Sequence, residues 1–313
     1  MSYNNFKDAL AKEVERQAGE KYQVCLQTLK KNNGITRDAV SINKKGSKLT
    51  PLIHIDSFYE RYQKGESVIR LAAVLLQNYY EMEDTLSDLD VEYFSDYENV
   101  REHIYCKLVN IGMNKELLKD IPYRTYLDLA VVYYFMTDTV TRGDATILIN
   151  KKHLEMWNLT NETLDRQAWT NTVADLTPSL CPIREIIEEY LGCASQEETE
   201  ADQCEENQQD QQEDDTEEKR LPMYVLTNKK KSFGAICIRY PGMLEQLAEQ
   251  LGGDFYILPS SVHECILVPA DQTVNRDLLK EMVMDINYTQ VEPQEILANQ
   301  AYYYSRTLNK IMF

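Results

Sequence analysis

A chain of 313 residues with 43% hydrophobic content can bury at least two ordinary cores, since single domains usually hold about 100 to 200 residues. Its net charge of −18 disfavours general nucleic-acid binding, because neutralising phosphates requires a basic face. The longest apolar runs, "LAAVLL" and "LAVVYYFM", fall far short of the roughly 20 residues that cross a bilayer, and the polar stretch after Met1 lacks the apolar centre of a secretory signal; a cytoplasmic protein without membrane association is expected.

In chain order, Phe6, Leu10 and Val14 recur at helical spacing and Gly19 follows as a stop, which predicts a first helix over 2–18. "YQVCLQTLKK", "DAVSIN" and "LTPLIHID" predict three short strands separated by "NNG" and "KKGSK". "DSFYERYQKGESVIRLAAVLLQNYYEM" predicts a helix capped by Asp56 and interrupted near Gly65, with Val68, Leu71, Ala72, Leu75, Leu76 and Tyr79 on one face. "SDYENVREHIYCKLVN" predicts a further helix, capped by Ser95, with Tyr97, Val100, Ile104, Leu108 and Ile111 toward a core. "YRTYLDLAVVYYFM" and "DATILIN" are β-branched and aromatic, and predict neighbouring antiparallel strands joined by "TDTVTRG". "KKHLEMWNLTNETLDRQAWTNTVADL" reads as a short helix, a Thr160 cap and a second helix.

Residues 195–220 then hold 12 acids and 2 bases with almost no apolar content. Such a block cannot collapse, and it predicts a disordered acidic linker. Beyond it, "MYVLTN" and "FGAICIRY" read as strands, "PGMLEQLAEQLG" as a helix, "DFYILP" and "HECILVP" as strands, and "NRDLLKEMVMDIN" as a closing helix. One antiparallel sheet of "FGAICIRY", "DFYILP" and "HECILVP" is expected, covered by helices that face it with Leu244, Leu247 and Leu251 and with Leu278, Met282 and Ile286. A strand, strand, helix succession thus follows residue 123 and again residue 222. The fold class is α+β with antiparallel sheets covered by helices: an α+β unit over 1–90, a second over 91–194 packed with it, the linker over 195–220, and a C-terminal α+β domain over 221–313.

The densest chemistry lies in "FYILPSSVHECILVP". A serine hydrolase needs a serine hydroxyl in reach of an imidazole oriented by a carboxylate, which makes Ser260 or Ser261 with His263 the catalytic candidates. On a strand, Glu264 would leave the opposite face from His263 and Cys265, so another acid would be required. The alternative is a turn whose serine hydroxyls satisfy backbone groups. In "HIYC", a helix would put His103 and Cys106 nearly on one face, half of a zinc site, although further ligands would have to come from lone residues such as His54, His153 or His263. The seven cysteines are scattered with no Cys-x-x-Cys pair and read as reduced thiols. No glycine-rich phosphate loop is present and no cofactor is implied. The 21 tyrosines cluster in "NYYEM", "VVYYF" and "AYYYS", where exposure would favour a protein interface. The basic turn around Lys30, Lys31, Lys44, Lys45 and Lys48 suits a solvated hairpin or an acidic partner.

"GAICIRYPGMLEQLAEQLGGDFYILPSSVHECILVP", "RDLLKEMVMDINYTQVEPQEIL" and "AYYYS", with "KKNNGITRDAVSI", "HIDSFYERYQKGES" and "DYENVREHIYCKLVN" in the N-terminal half, resemble a domain-of-unknown-function family of clostridial Firmicutes. "LDLAVVYYFM" with "ILINKKHLEMWNLTNETLDRQAWTN" is more distantly similar to the YtpQ-like proteins of bacilli. Neither resemblance implies a reaction, a cofactor or a site residue. The functional expectation is therefore a non-enzymatic protein-binding or adaptor protein, set against a hydrolase using Ser260 or Ser261 with His263, and against an acidic nucleic-acid mimic that occupies a basic partner.

Overall fold

The computed structural model describes residues 1–44, 52–86, 91–137, 145–188, 222–271 and 275–312. The fold is α+β, with three antiparallel sheets among the described residues. The chain forms two compact units, Met1–Thr172 and Val173–Phe313. No helix among the described residues is long and apolar enough to cross a membrane.

The first unit opens with helix α1 (Tyr3–Ala18), which buries Phe6, Leu10 and Val14 as their spacing predicts. Strands β1 (Tyr22–Lys30), β2 (Thr36–Lys44) and β3 (Leu52–His54) form a sheet in that order. Helices α2 (Asp56–Gln63) and α3 (Val68–Leu86) follow. Val40 and Ile42 of β2 share a core with the three α1 residues and with Phe58, Leu71, Leu75 and Tyr79. Asp56 is not the cap expected of it: Ile55 occupies that position, and Asp56, already inside the helix, pairs with Arg37 at 3.3 Å.

The expected helix from Ser95 to Ile111 is the largest correction in this unit. After α4 (Val91–Ser95), α5 (Tyr97–Val100) lasts one turn and is capped by Asp96, whose side chain accepts the Glu98 N–H. A 3-10 turn (Arg101–His103) leads into strand β4 (Ile104–Asn110). Ile104 and Leu108 fit both periods, and β4 is buried on both faces, so apolar spacing cannot separate strand from helix there. Pairing decides, through seven registered partners on β6. "YRTYLDLAVVYYFM" is itself a hairpin, β5 (Tyr123–Tyr126) turning at Leu127, φ 58°, into β6 (Leu129–Thr137). β7 (Ala145–Leu148) pairs antiparallel with β6 as expected. Helices α6 (Lys151–Trp157) and α7 (Asn161–Asp175) follow, with Thr160 Oγ1 capping α7 by accepting the Thr163 N–H. Asn171 of α7 donates to the carbonyls of Arg101 and Ile104, and Thr172 Oγ1 accepts the Cys106 N–H at 2.8 Å.

The second unit holds a six-stranded sheet ordered β13-β12-β10-β11-β9-β8. Its strands are β8 (Pro178–Pro182), β9 (Tyr224–Asn228), β10 (Phe255–Leu258), β11 (Cys265–Pro269), β12 (Tyr302–Ser305) and β13 (Lys310–Met312). A helix over 183–188 (α8) follows β8; α9 (Met243–Gln250) and α10 (Arg276–Thr289) complete the unit. The acidic segment expected at 195–220 lies outside the described residues, as do Cys193, Cys204, Lys45, Lys48 and the 138–144 connection. The strands flanking it are paired: β8 runs antiparallel to β9 from Pro178↔Asn228 to Pro182↔Tyr224. The C-terminal unit therefore begins near Val173, and a boundary at 221 leaves one of its strands outside.

Two expectations about this sheet change. "FGAICIRY" is not a strand but a buried 3-10 segment (Gly234–Arg239) entered through Phe233 at φ 51°, so the strand, strand, helix succession expected from residue 222 is replaced by one further on, β10, β11 and α10. The face of α10 is rotated by one residue: Leu279, Val283 and Asn287 are buried, with Met282 and Ile286 beside them, while Leu278 is 61% exposed. Leu279 and Val283 pack on Leu258 and Val268 of β10 and β11. In urea, a fragment of residues 173–313 should unfold in one transition, and a fragment beginning at residue 222 should be less stable by about 2 kcal/mol or more, at roughly 0.5–1.5 kcal/mol for each lost ladder bond. Equal stabilities would show that β8 adds nothing to the sheet.

Candidate functional site

The Ser260 to His263 segment joins β10 to β11 and is stitched along its length to residues 295–298. Ala298 N donates to Pro259 O, Leu297 N to Ser260 O and Val262 N to Glu295 O, at 2.8–3.0 Å, and Ser261 bridges Ile296. Both serines are buried. Ser261 Oγ accepts the backbone N–H of His263 at 3.0 Å, the local turn bond typical of serine.

The His263 ring is held by other partners. Its Nδ1 accepts the Phe233 backbone N–H at 3.2 Å, which puts the proton of the neutral ring on Nε2, and Nε2 lies 3.7 Å from Glu295 Oε1. The ring stacks on Phe233 with centroids 5.3 Å apart. Neither serine hydroxyl bonds the imidazole among the described contacts, so the structure does not bring the hydrolase candidates Ser260, Ser261 and His263 into a catalytic geometry. The acid that meets the imidazole is Glu295, remote in sequence and unmarked by any motif.

The neighbouring thiols are buried. The Cys265 thiol is fully buried, and burial first, then Cys237 and Glu264, holds it well above the ordinary thiol range. Burial pushes Cys237 up to about 12. Neither supplies thiolate near neutrality. Gly234 explains the close fit of the buried 3-10 segment: a Cβ there would stand 2.6 Å from the Asn228 amide nitrogen, 2.7 Å from the His263 carbonyl oxygen, and closer still to Thr227 Oγ1. The metal candidates separate, because His103 ends the 3-10 turn whereas Cys106 is fully buried within β4. Among the described residues they join no group of three or more possible ligands. His153 instead completes the capping box of α6 and packs against Phe94 and Trp157, and His54 ends β3.

Beside the stitched segment lies a groove of about 500 Å³ lined by Glu281, Met284, Asp285, Asn287, Tyr288, Ile296 and Asn299. Its long wall is the outer side of α10, where Tyr288 is 90% exposed and Met284 49%. Glu281, Met284, Asp285 and Tyr288 fall at i, i+3, i+4 and i+7, one helical stripe. Asn287 forms the floor: its Nδ2 donates to Ala298 O and Asn299 Oδ1, while its Oδ1 has no hydrogen-bond partner among the described residues. The sequence carries a signal for this surface. "LLKEMVM" has more apolar positions than one helix face can hold, and the surplus Leu278 and Met284 remain in solvent. Of the tyrosine clusters, the strand-borne Tyr133, Tyr134, Tyr302 and Tyr304 are core residues, while Tyr80 of α3 is 40% exposed.

A family of unknown function, DUF5688, matches residues 3–306. The chain belongs to DUF5688. The match to DUF5688 runs from α1 through β12, across the acidic segment between β8 and β9, and leaves β13 outside. No curated protein and no solved structure matches this DUF5688 chain.

Two substitutions test this geometry. Gly234→Ala should destabilise the C-terminal unit by about 3 kcal/mol, the upper range for forced overpacking, read as a lower urea midpoint. Glu264 is raised by burial, opposed by His263 and assisted by Glu295. A carboxyl raised in the folded state stabilises below its unfolded pKa and loses that contribution as pH rises through the folded value. Glu264→Gln should therefore melt higher than the parent at pH 7 and lose that advantage near pH 4; a variant less stable at pH 7 would show that the carboxylate is held by contacts rather than penalised by burial.

Proposed function

We propose that this DUF5688 protein is a non-enzymatic cytoplasmic binding protein whose C-terminal unit takes up a basic amphipathic segment of a protein partner. The observation that carries this reading is the α10 stripe, in which a tyrosine left 90% exposed and a half-exposed methionine alternate with Glu281 and Asp285 along a groove. Tyrosine in solvent on a rigid helix supplies large contact area at low entropic cost, the usual character of an interface anchor, and methionine adapts to irregular partners. The carboxylates select basic side chains, and the Asn287 acceptor in the groove floor favours an incoming N–H, since an unsatisfied buried acceptor costs about 1–3 kcal/mol. A helix-in-groove mode suits a stripe at i, i+3, i+4 and i+7.

A photo-crosslinking residue placed at position 288 of the full chain in its native host should give a discrete adduct whose joined peptide is basic and amphipathic. The same residue at exposed Leu308 should not. With the captured segment as ligand, Tyr288→Ala should weaken binding by roughly 30-fold, the effect of about 2 kcal/mol at an anchor. Equal labelling at 288 and 308, or an acidic joined peptide, would overturn the reading.

A further inference from the structure

The edge of a sheet presents unpaired backbone groups, and proteins shield it with short strands, prolines, lysines or covering side chains. Among the described residues the edges are shielded in these ways with one exception. Strands β3 and β13 have three residues and β5 and β7 have four. β8 begins and ends with proline, Pro178 and Pro182. The outer side of β4 is covered from α7, where Thr172 Oγ1 accepts the Cys106 N–H and Asn171 Nδ2 donates to the Ile104 carbonyl. Strand β1 is the exception. It runs for nine residues without proline or glycine, its only lysine is its last residue, Lys30, and among the described residues it pairs with β2 alone.

The outward groups of β1 can be assigned. Ser41 Oγ of β2 donates to the Cys25 carbonyl at 3.1 Å, so the Cys25 peptide groups face β2, and the alternation of an antiparallel strand turns those of Val24 and Leu26 outward. The segment around them, "QVCLQ" over 23–27, has the same residue chemistry in both directions: Gln23 and Gln27, then Val24 and Leu26, stand symmetrically about Cys25. Gln23, Cys25 and Gln27 are exposed, as is Leu26 at 37%, while Val24 packs at the border of the core shared with α1 and α3. From Tyr22 to Leu29 the strand carries no acidic or basic side chain, so it can meet its own copy without placing like charges opposite one another. That two-fold symmetry of side chains selects a second copy of this chain over an unrelated peptide.

We propose that two copies of the chain dimerise by antiparallel pairing of β1 with β1 about a two-fold axis at Cys25, which joins their three-stranded sheets into one. Such a contact is isologous, so each copy closes the edge of the other and assembly stops at the dimer. Val24 faces Leu26 of the second copy, and the pair exchanges both of its backbone hydrogen bonds; Gln23 faces Gln27. The two Cys25 residues form the central pair, without mutual hydrogen bonds and with Cα atoms about 4.5 Å apart. Leu26 leaves solvent for an apolar neighbour on its own sheet face. The interface is separate from the α10 groove and stands or falls independently of it.

Sedimentation equilibrium of the full chain in reducing buffer tests this, and a dimer is expected. Leu26→Lys and Leu26→Pro, the latter removing an outward N–H, should each raise the dimer dissociation constant by roughly tenfold or more; should Leu26→Pro fail to fold, Leu26→Lys at its exposed position carries this arm. Tyr288→Ala on α10 should dimerise like the parent. Cross-linking reads the register. In a chain carrying Cys181→Ser, Cys193→Ser and Cys204→Ser, copper phenanthroline in air should oxidise Cys25 to a reducible covalent dimer, since the Cα separation lies within disulfide reach. Adding Cys25→Ser with Gln23→Cys should abolish that product, because the introduced thiols would lie about 13 Å apart along the strands. A monomer at the highest soluble concentration, a dimer that persists unweakened in both Leu26 variants, or equal cross-linking through position 23 would overturn the proposal.

Discussion

The pairing of β9 is the interaction on which the C-terminal unit depends. This five-residue strand joins β8 on one side and β11 on the other, and so connects chain segments lying before and after the acidic block. It also carries the contacts that hold the buried 3-10 segment. Thr227 Oγ1 donates to the His263 carbonyl, Asn228 Nδ2 to Ser232 O, and Cys237 Sγ to Thr227 O. Gly234 is required because three backbone or side-chain groups at the end of β9 and at His263 leave no room for a Cβ. From that anchored segment the Phe233 N–H reaches the His263 ring.

The arrangement accounts for residues that look catalytic in the sequence. Ser260, Ser261 and His263 connect β10 and β11 while pairing with 295–298, and that strip carries the Ala298 carbonyl to which Asn287 donates. Polar side chains buried in a connection must find partners, and here Ser261 and His263 find them in backbone N–H groups. The outcome is a connection stitched to residues 295–298, to which α10 is tied through Asn287, with the outer stripe of α10 exposed to solvent.

Much of this was legible in the chain. Elements with a single clean period are plain in the sequence: α1 through Phe6, Leu10 and Val14, the β1 to β3 strands through their turn residues, and α6 and α7 through the Thr160 cap. Where a segment is buried on all sides the period carries no information, and this is why Ile104–Asn110 reads as helix and Gly234–Arg239 as strand. The one-residue rotation of α10 has a different cause. Asn287 occupies a core position because its amide satisfies Ala298 O and Asn299 Oδ1, a long-range reason invisible to a hydrophobic pattern, and the flanking Met282 and Ile286 made the neighbouring stripe look more apolar. Pairing between β8 and β9 was hidden similarly, because the charged block between them reads as a domain boundary by composition alone.

The account stands on a sheet that includes the strand preceding the acidic block. Native-state hydrogen exchange of the full chain addresses this most directly, since amides of one cooperative unit exchange with a common opening free energy. Leu180 and Cys181 of β8 should show protection comparable to Leu226 of β9 and Leu267 of β11. Exchange of the β8 amides at the rate of an unstructured peptide, with β9 and β11 still protected, would contradict the single-sheet account and return the boundary of the C-terminal unit to the far side of the acidic block.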